Sequence, residues 1–145
     1  MENRLVVLCI AFLTAVSCKK EETTDAPVIS DLVVTPITVE EFKDTVTISF
    51  IYEDVNGDIG HDNPNTPSIF VRDSRLEDSD EYHIQPLTPD QQELNIQGSV
   101  SLRLNNLFIL GNDSTESLLL KVTMVDRAGN MSNELVSDSV LVVRP

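Results

Sequence analysis

A period of two is the pattern that most limits what this chain can become. Val46, Ile48, Phe50 and Tyr52 alternate with Thr45, Thr47 and Ser49. Val100, Leu102 and Leu104 alternate with Ser101 and Arg103. Leu118, Leu120, Val122 and Met124 share one face, with Lys121 and Thr123 opposite, and Val140 and Val142 continue the pattern near the end. Successive side chains of a strand point to opposite faces, so this alternation sends one face into a core and leaves the other to water. The enrichment in Val, Ile and Thr suits the same conformation. Seven strands are predicted, at 28–35, 44–52, 67–73, 81–87, 95–104, 117–126 and 135–143. No window of about 11 residues or more carries a helical stripe. The stretch from Pro89 to Leu94 is expected to make a single turn.

Seven short strands with polar turns, within about 118 residues, predict an all-β domain of two packed antiparallel sheets, a seven-stranded immunoglobulin-like sandwich over 28–145. A small open barrel or a jelly roll is the alternative. The two Cys, Cys9 and Cys18, both precede the strands, and Trp is absent. The domain therefore holds no disulfide and must rest on apolar packing. Within the sandwich class this points to the fibronectin- or cadherin-like end. The run Asp126-Arg127-Ala128-Gly129-Asn130-Met131-Ser132-Asn133 resembles the turn between the last two strands of many bacterial Ig-like modules. Gly129 would supply a positive φ there, and Asp126 and Asn130 would close the turn.

Ahead of the domain, Met1-Glu2-Asn3-Arg4 leads into an apolar run from Leu5 to Val16. That run is shorter than the roughly 20 residues needed to span a bilayer, but it has the length of a signal peptide. It ends in Ala15-Val16-Ser17-Cys18, followed by Lys19-Lys20-Glu21-Glu22. The segment resembles a lipobox, and the flanks resemble those of Bacteroidetes-type lipoproteins. The resemblance implies cleavage after residue 17, acylation of Cys18 and a lipid-borne membrane attachment. Residues 18–27 would then be a short polar tether. Lys19, in place of Asp, lacks the inner-membrane retention signal of some lipoproteins. Lys20-Glu21-Glu22 resembles a surface-export tag, which implies the outer membrane.

The formal net charge is −14. Such a surface repels nucleic acid and anionic head groups and favours cations. Acidic residues concentrate in Glu53-Asp54-Val55-Asn56-Gly57-Asp58-Ile59-Gly60. Oxygen-bearing side chains at 54, 56 and 58 resemble the start of an EF-hand loop. Ile59 and Asn65 stand where that motif has Gly and Glu, so it is not one. In an Ig-like sandwich this loop and the loop at 126–134 lie at the same end, which would let Asp54, Asn56, Asp58, Asp126 and Asn130 converge. Two readings stand. The residues are turn formers, or they bind calcium, which takes six to eight oxygens and would offset the mutual repulsion.

No nucleophile-and-base pair is evident. His61 and His83 sit apart among polar residues, and no zinc spacing or phosphate-binding glycine run is present. Aromatic residues are 5% of the chain, which supplies a sugar-stacking cleft poorly. The expected function is a lipid-anchored, non-catalytic envelope module that binds a protein or a glycan. The alternative is an accessory enzyme or enzyme inhibitor using the acidic loop at 53–62. An exposed apolar or edge-strand surface away from Asp54 and Asp58 favours the first, and a concave pocket with shifted titrating groups the second.

Overall fold

A computed structural model of the chain describes residues 25–89 and 93–145. The expected signal segment 1–17, Cys18, most of the expected tether and the centre of the turn expected at 89–94 lie outside the described residues. The described residues are all-β and form ten strands rather than seven: β1 (Val28–Thr35), β2 (Thr38–Glu40), β3 (Val46–Asp54), β4 (Ile69–Asp73), β5 (Asp80–Tyr82), β6 (Ile96–Leu104), β7 (Thr115–Leu118), β8 (Leu120–Met124), β9 (Leu135–Val136) and β10 (Val140–Val143).

One layer has the order β1-β3-β6. Its centre is β3, whose inward Val46, Ile48 and Phe50 are buried while Thr47, Ser49 and Ile51 face outward. The second layer is made of β5-β4-β8-β9 and β2-β10-β7, joined where only Leu119 separates β7 from β8. Ile69 and Val71 of β4, Leu120, Val122 and Met124 of β8, and Val140 and Val142 of β10 complete one buried apolar cluster with β3. Burying each such side chain contributes about 1.5–3 kcal/mol, so the packing between layers does the work a disulfide does elsewhere.

Three departures from the expected strands have local causes. The strand expected at 117–126 keeps its side-chain alternation, since Leu118, Leu120, Val122 and Met124 are all buried, but it changes partners. β7 pairs with β10, and β8 pairs with β4 and β9. The strand expected at 135–143 divides in the same place, where the Ser137 hydroxyl accepts the Leu120 amide in 2.9 Å and the Ser137 amide donates to the Leu120 carbonyl. The strand expected at 81–87 ends at Tyr82. Residues beyond it leave the sheet, with Ile84 accepting from the His61 amide and Leu87 donating to Ile59. Pro86 and Pro89, which have no amide hydrogen, could not continue a ladder. β2 was not expected. It has three residues and one buried side chain, Val39, too few to show a period. It runs parallel to β10, the exception to antiparallel pairing.

The layers are tied at one edge by Asn133. Its side-chain oxygen accepts the Ile29 amide at 2.9 Å and its amide nitrogen donates to the Ile29 carbonyl at 2.8 Å. This side chain stands in for a neighbouring strand along β1. Replacing Asn133 with Ala should lower stability by about 1–3 kcal/mol, the loss of two hydrogen bonds at a part-buried site. Urea unfolding of wild type against Asn133→Ala measures it, and an unchanged midpoint would remove Asn133 as a tie between layers.

Candidate functional site

The acidic loop begins where β3 ends. Asp54 is the last residue of that strand on its inward face, and it is only 1% exposed. One of its oxygens accepts the Asp58 amide at 2.9 Å and the other the Asn56 amide at 3.5 Å. The loop thus folds over a carboxylate that has lost its water. Gly57 and Gly60 have φ of 69° and 91°. A Cβ at Gly57 would run into the Leu94 carbonyl oxygen, and one at Gly60 into that of Gln85. The two glycines let the loop lie directly against residues 84–88 and Leu94, where the Thr88 hydroxyl donates to the Gly57 carbonyl.

The second loop repeats the device. Asp126, also 1% exposed, accepts the Asn130 amide at 2.7 Å on one oxygen and the Asn130 side-chain amide at 2.8 Å on the other. Gly129 has φ of 86°. The two loops meet through their backbones: Ile59 and Asp126 form an antiparallel bridge, and the Arg127 amide donates to the Asp58 carbonyl at 2.9 Å.

The side chains do not assemble as one ligand set. Asp126 and Asn130 are engaged with each other, and Asp54 with the amides of its own loop. Among the described residues no group of three or more His, Cys, Asp or Glu is arranged to hold a metal ion. One atom is unaccounted for: Asp58 Oδ1 is buried without a hydrogen-bond partner in the protein. His83 reaches the His61 carbonyl through Nε2 at 2.6 Å, so that nitrogen carries the hydrogen and the ring braces the loop. A depression nearby, about 510 Å³, is lined by Asp62, Gln85, Pro86, Leu87, Thr88 and Pro89, with Asp62 the one acid among these described residues.

A second feature lies at the far end of β3. Phe42 follows β2 and Phe108 follows β6, and their rings stack in parallel with centroids 5.7 Å apart. Phe42 is 66% exposed, and its φ of 58° is a backbone conformation that a bulky side chain rarely adopts. The alternation gave no signal for this pair, because the two residues lie outside the strands and far apart in sequence. Comparison with protein-family models, with curated proteins and with solved structures finds no match to the chain.

Burial pushes the Asp54 carboxyl above the usual carboxylate range. The nearby charge of Asp58 adds to the shift, and the amides of Asn56 and Asp58 oppose it. An acid held above its unfolded value of about 3.9 adds stability that is fully present below that value and is lost as pH rises through the folded pKa. Acidifying from neutrality toward about pH 4 should therefore stabilise wild type relative to Asp54→Asn. Urea unfolding across this range reads the difference, and parallel profiles for the two proteins would show that Asp54 is not the titrating group.

Proposed function

We propose that the chain is a lipid-anchored, non-catalytic binding module of the bacterial outer membrane, with one Ig-like sandwich held on a short tether. The stack of the exposed Phe42 on the half-buried Phe108 is the observation that carries this reading. Val28 pairs with Glu53, so the chain enters the fold beside the acidic loop. Val46 pairs with Leu104 at the other end of β3, next to the two rings. With nine residues in β3, the aromatic pair stands about 27 Å from the tethered pole. A flat apolar surface at the pole opposite the tether suits a protein partner in the envelope, and a glycan is the alternative.

The sheet order supports the Ig-like reading. The first, second and fifth of the expected strands (β1, β3, β6) share one layer, and the third and the last two share the other, with the short β5 added beside the third. Ala15-Val16-Ser17-Cys18 supports acylation. More than one acyl chain anchors stably, each buried methylene contributing about 0.8 kcal/mol. The accessory enzyme or inhibitor reading has less support, because the oxygens of Asp54 and Asp126 are occupied in closing their loops.

Cys18→Ala should shift the protein from the membrane to the soluble fraction, and the N-terminal peptide of wild type should carry the acyl mass. An unmodified peptide starting upstream of Cys18 would overturn the anchor. Phe42→Gly together with Phe108→Ser should abolish cross-linking to an envelope partner on intact cells. Stability should stay within about 1 kcal/mol, since relief of the positive-φ strain offsets the lost stacking. Cross-linking that persists would place the binding surface elsewhere.

A calcium ion at the tethered pole is the narrower part of the proposal. It is supported by the unpartnered Asp58 Oδ1 and by the repulsion between Asp58 and Asp54. Saturation should raise stability by about 2.7 kcal/mol at a hundred times the dissociation constant. A melting temperature unchanged between millimolar calcium and chelator would remove the ion.

A further inference from the structure

We infer that β6 is a self-pairing edge, through which two copies of this chain join their β1-β3-β6 layers into one continuous sheet. The inference stands apart from the aromatic pair, and it starts from how the edges differ. An open strand edge invites another strand, and proteins blunt it by shortness, charge or irregularity. β2 and β5 have three residues each, and two of the three in β5 are Asp80 and Glu81. β1 carries a register shift between Ser30 and Val33, with Asp31 at φ 53°, and Asn133 covers Ile29. β6 has none of these. It runs nine residues in unbroken register with β3, and its sole charge is Arg103. Among the described residues, no backbone hydrogen bond outside its ladder with β3 involves 96–104.

The free groups on β6 can be assigned. Ile29 gives its amide and carbonyl to Asn133, so both point away from β3. Its partner Tyr52 therefore points its own backbone groups toward β6, where they meet Gly98. Backbone direction alternates along a strand. Gly98, Val100 and Leu102 thus bond to β3, while Gln97, Ser99, Ser101 and Arg103 present free amides and carbonyls at the edge.

A two-fold axis at Val100, the middle of β6, pairs Ser99 with Ser101 and Gln97 with Arg103 across the copies. All four free residues then find partners, and side-chain faces match. Val100 meets its counterpart on the core side, next to the half-buried Ile96 and Leu102, which a further strand would cover. The charges complement each other as well. No salt bridge engages Arg103 among the described residues, and the rotation sets it beside Gln97 of the other copy, whose side chain donates to Glu53 at 2.8 Å. No acidic residue lies between 96 and 104, so the net charge of −14 does not place carboxylates against one another along this strip. β5 pairs only with Ile69, Phe70 and Val71, the half of β4 beside Met124, so the rotation places the acidic β5 segments at opposite ends.

Val100→Cys in the acylated chain should give a disulfide-linked dimer when native envelopes are oxidised, and Glu77→Cys should not. Purified wild type in excess detergent micelles should sediment as a dimer at micromolar concentration. Ser101→Pro removes an amide that β3 does not use, so the far-UV spectrum should persist while dimerisation weakens roughly tenfold or more, the loss of two symmetry-related hydrogen bonds. Arg103→Glu should weaken it too. The inference is overturned by a monomeric wild type with no Val100→Cys cross-link. It is also overturned by a dimer indifferent to both substitutions, or by β6 amides that gain exchange protection only when a different protein is added.

Discussion

A backbone amide that turns out of a sheet and away from water must find another acceptor. At the pole of this protein where β3 ends, those acceptors are aspartate carboxylates. Asp54 takes amides of the loop that follows β3, and Asp126 takes the amide and side chain of Asn130. Because both loops are closed from within, their backbones are free to bridge each other at Ile59 and Asp126. That bridge extends the pairing of the sheet beyond Met124 and sets where 84–88 can lie. The same device recurs at Asp44, which accepts the Glu40 amide, and at Asp73, which accepts the Arg75 amide and pairs with its guanidinium.

This use of carboxylates changes the meaning of the acidic composition. A charge of −14 suggests a surface or a cation site when read along the chain. In the fold, several of the acids are interior fasteners. The cost is visible at Asp54, whose burial and nearness to Asp58 raise its pKa. A buried carboxylate is tolerated where it accepts well-placed donors, and each such hydrogen bond to a charged group contributes about 1.5–3 kcal/mol. Asp126 has donors on both oxygens, whereas Asp58 Oδ1 has none.

The alternation made the all-β class and most strand positions legible, since a period of two reports which face of a residue is buried. It does not report which strand lies alongside. Leu118 and Leu120 read as one strand because they share a face, yet they serve different ladders. β2 escaped because three residues hold no period, and 83–87 misled because Ile84 and Leu87 are apolar, although the ladder ends at Tyr82 and Pro86 could not have continued it. Around the acidic loop, sequence was enough to bring 53–60 and 126–130 to one pole. It could not tell convergence of backbones from convergence of side chains. The partners that decide this, Asn130 for Asp126 and the amides of 56 and 58 for Asp54, are local and compete with any shared ligand. Phe42 and Phe108 had no local pattern at all.

The lack of a disulfide bears on the edges as well as the core. With apolar contact holding the layers together, apart from the Asn133 tie at one edge, β3 must bury its full inward face, and that requires long neighbours on both sides. β1 meets the requirement with a bulge, which also protects its outer edge. β6 cannot bend in the same way. Gly98 lies directly under the Tyr52 phenol, where even a Cβ would collide, so the register there is fixed along the strand. A straight nine-residue β6 follows from the demand for a packed core, and an unprotected edge follows from a straight β6. The feature that stabilises the single domain is therefore the one that leaves it open to a second strand.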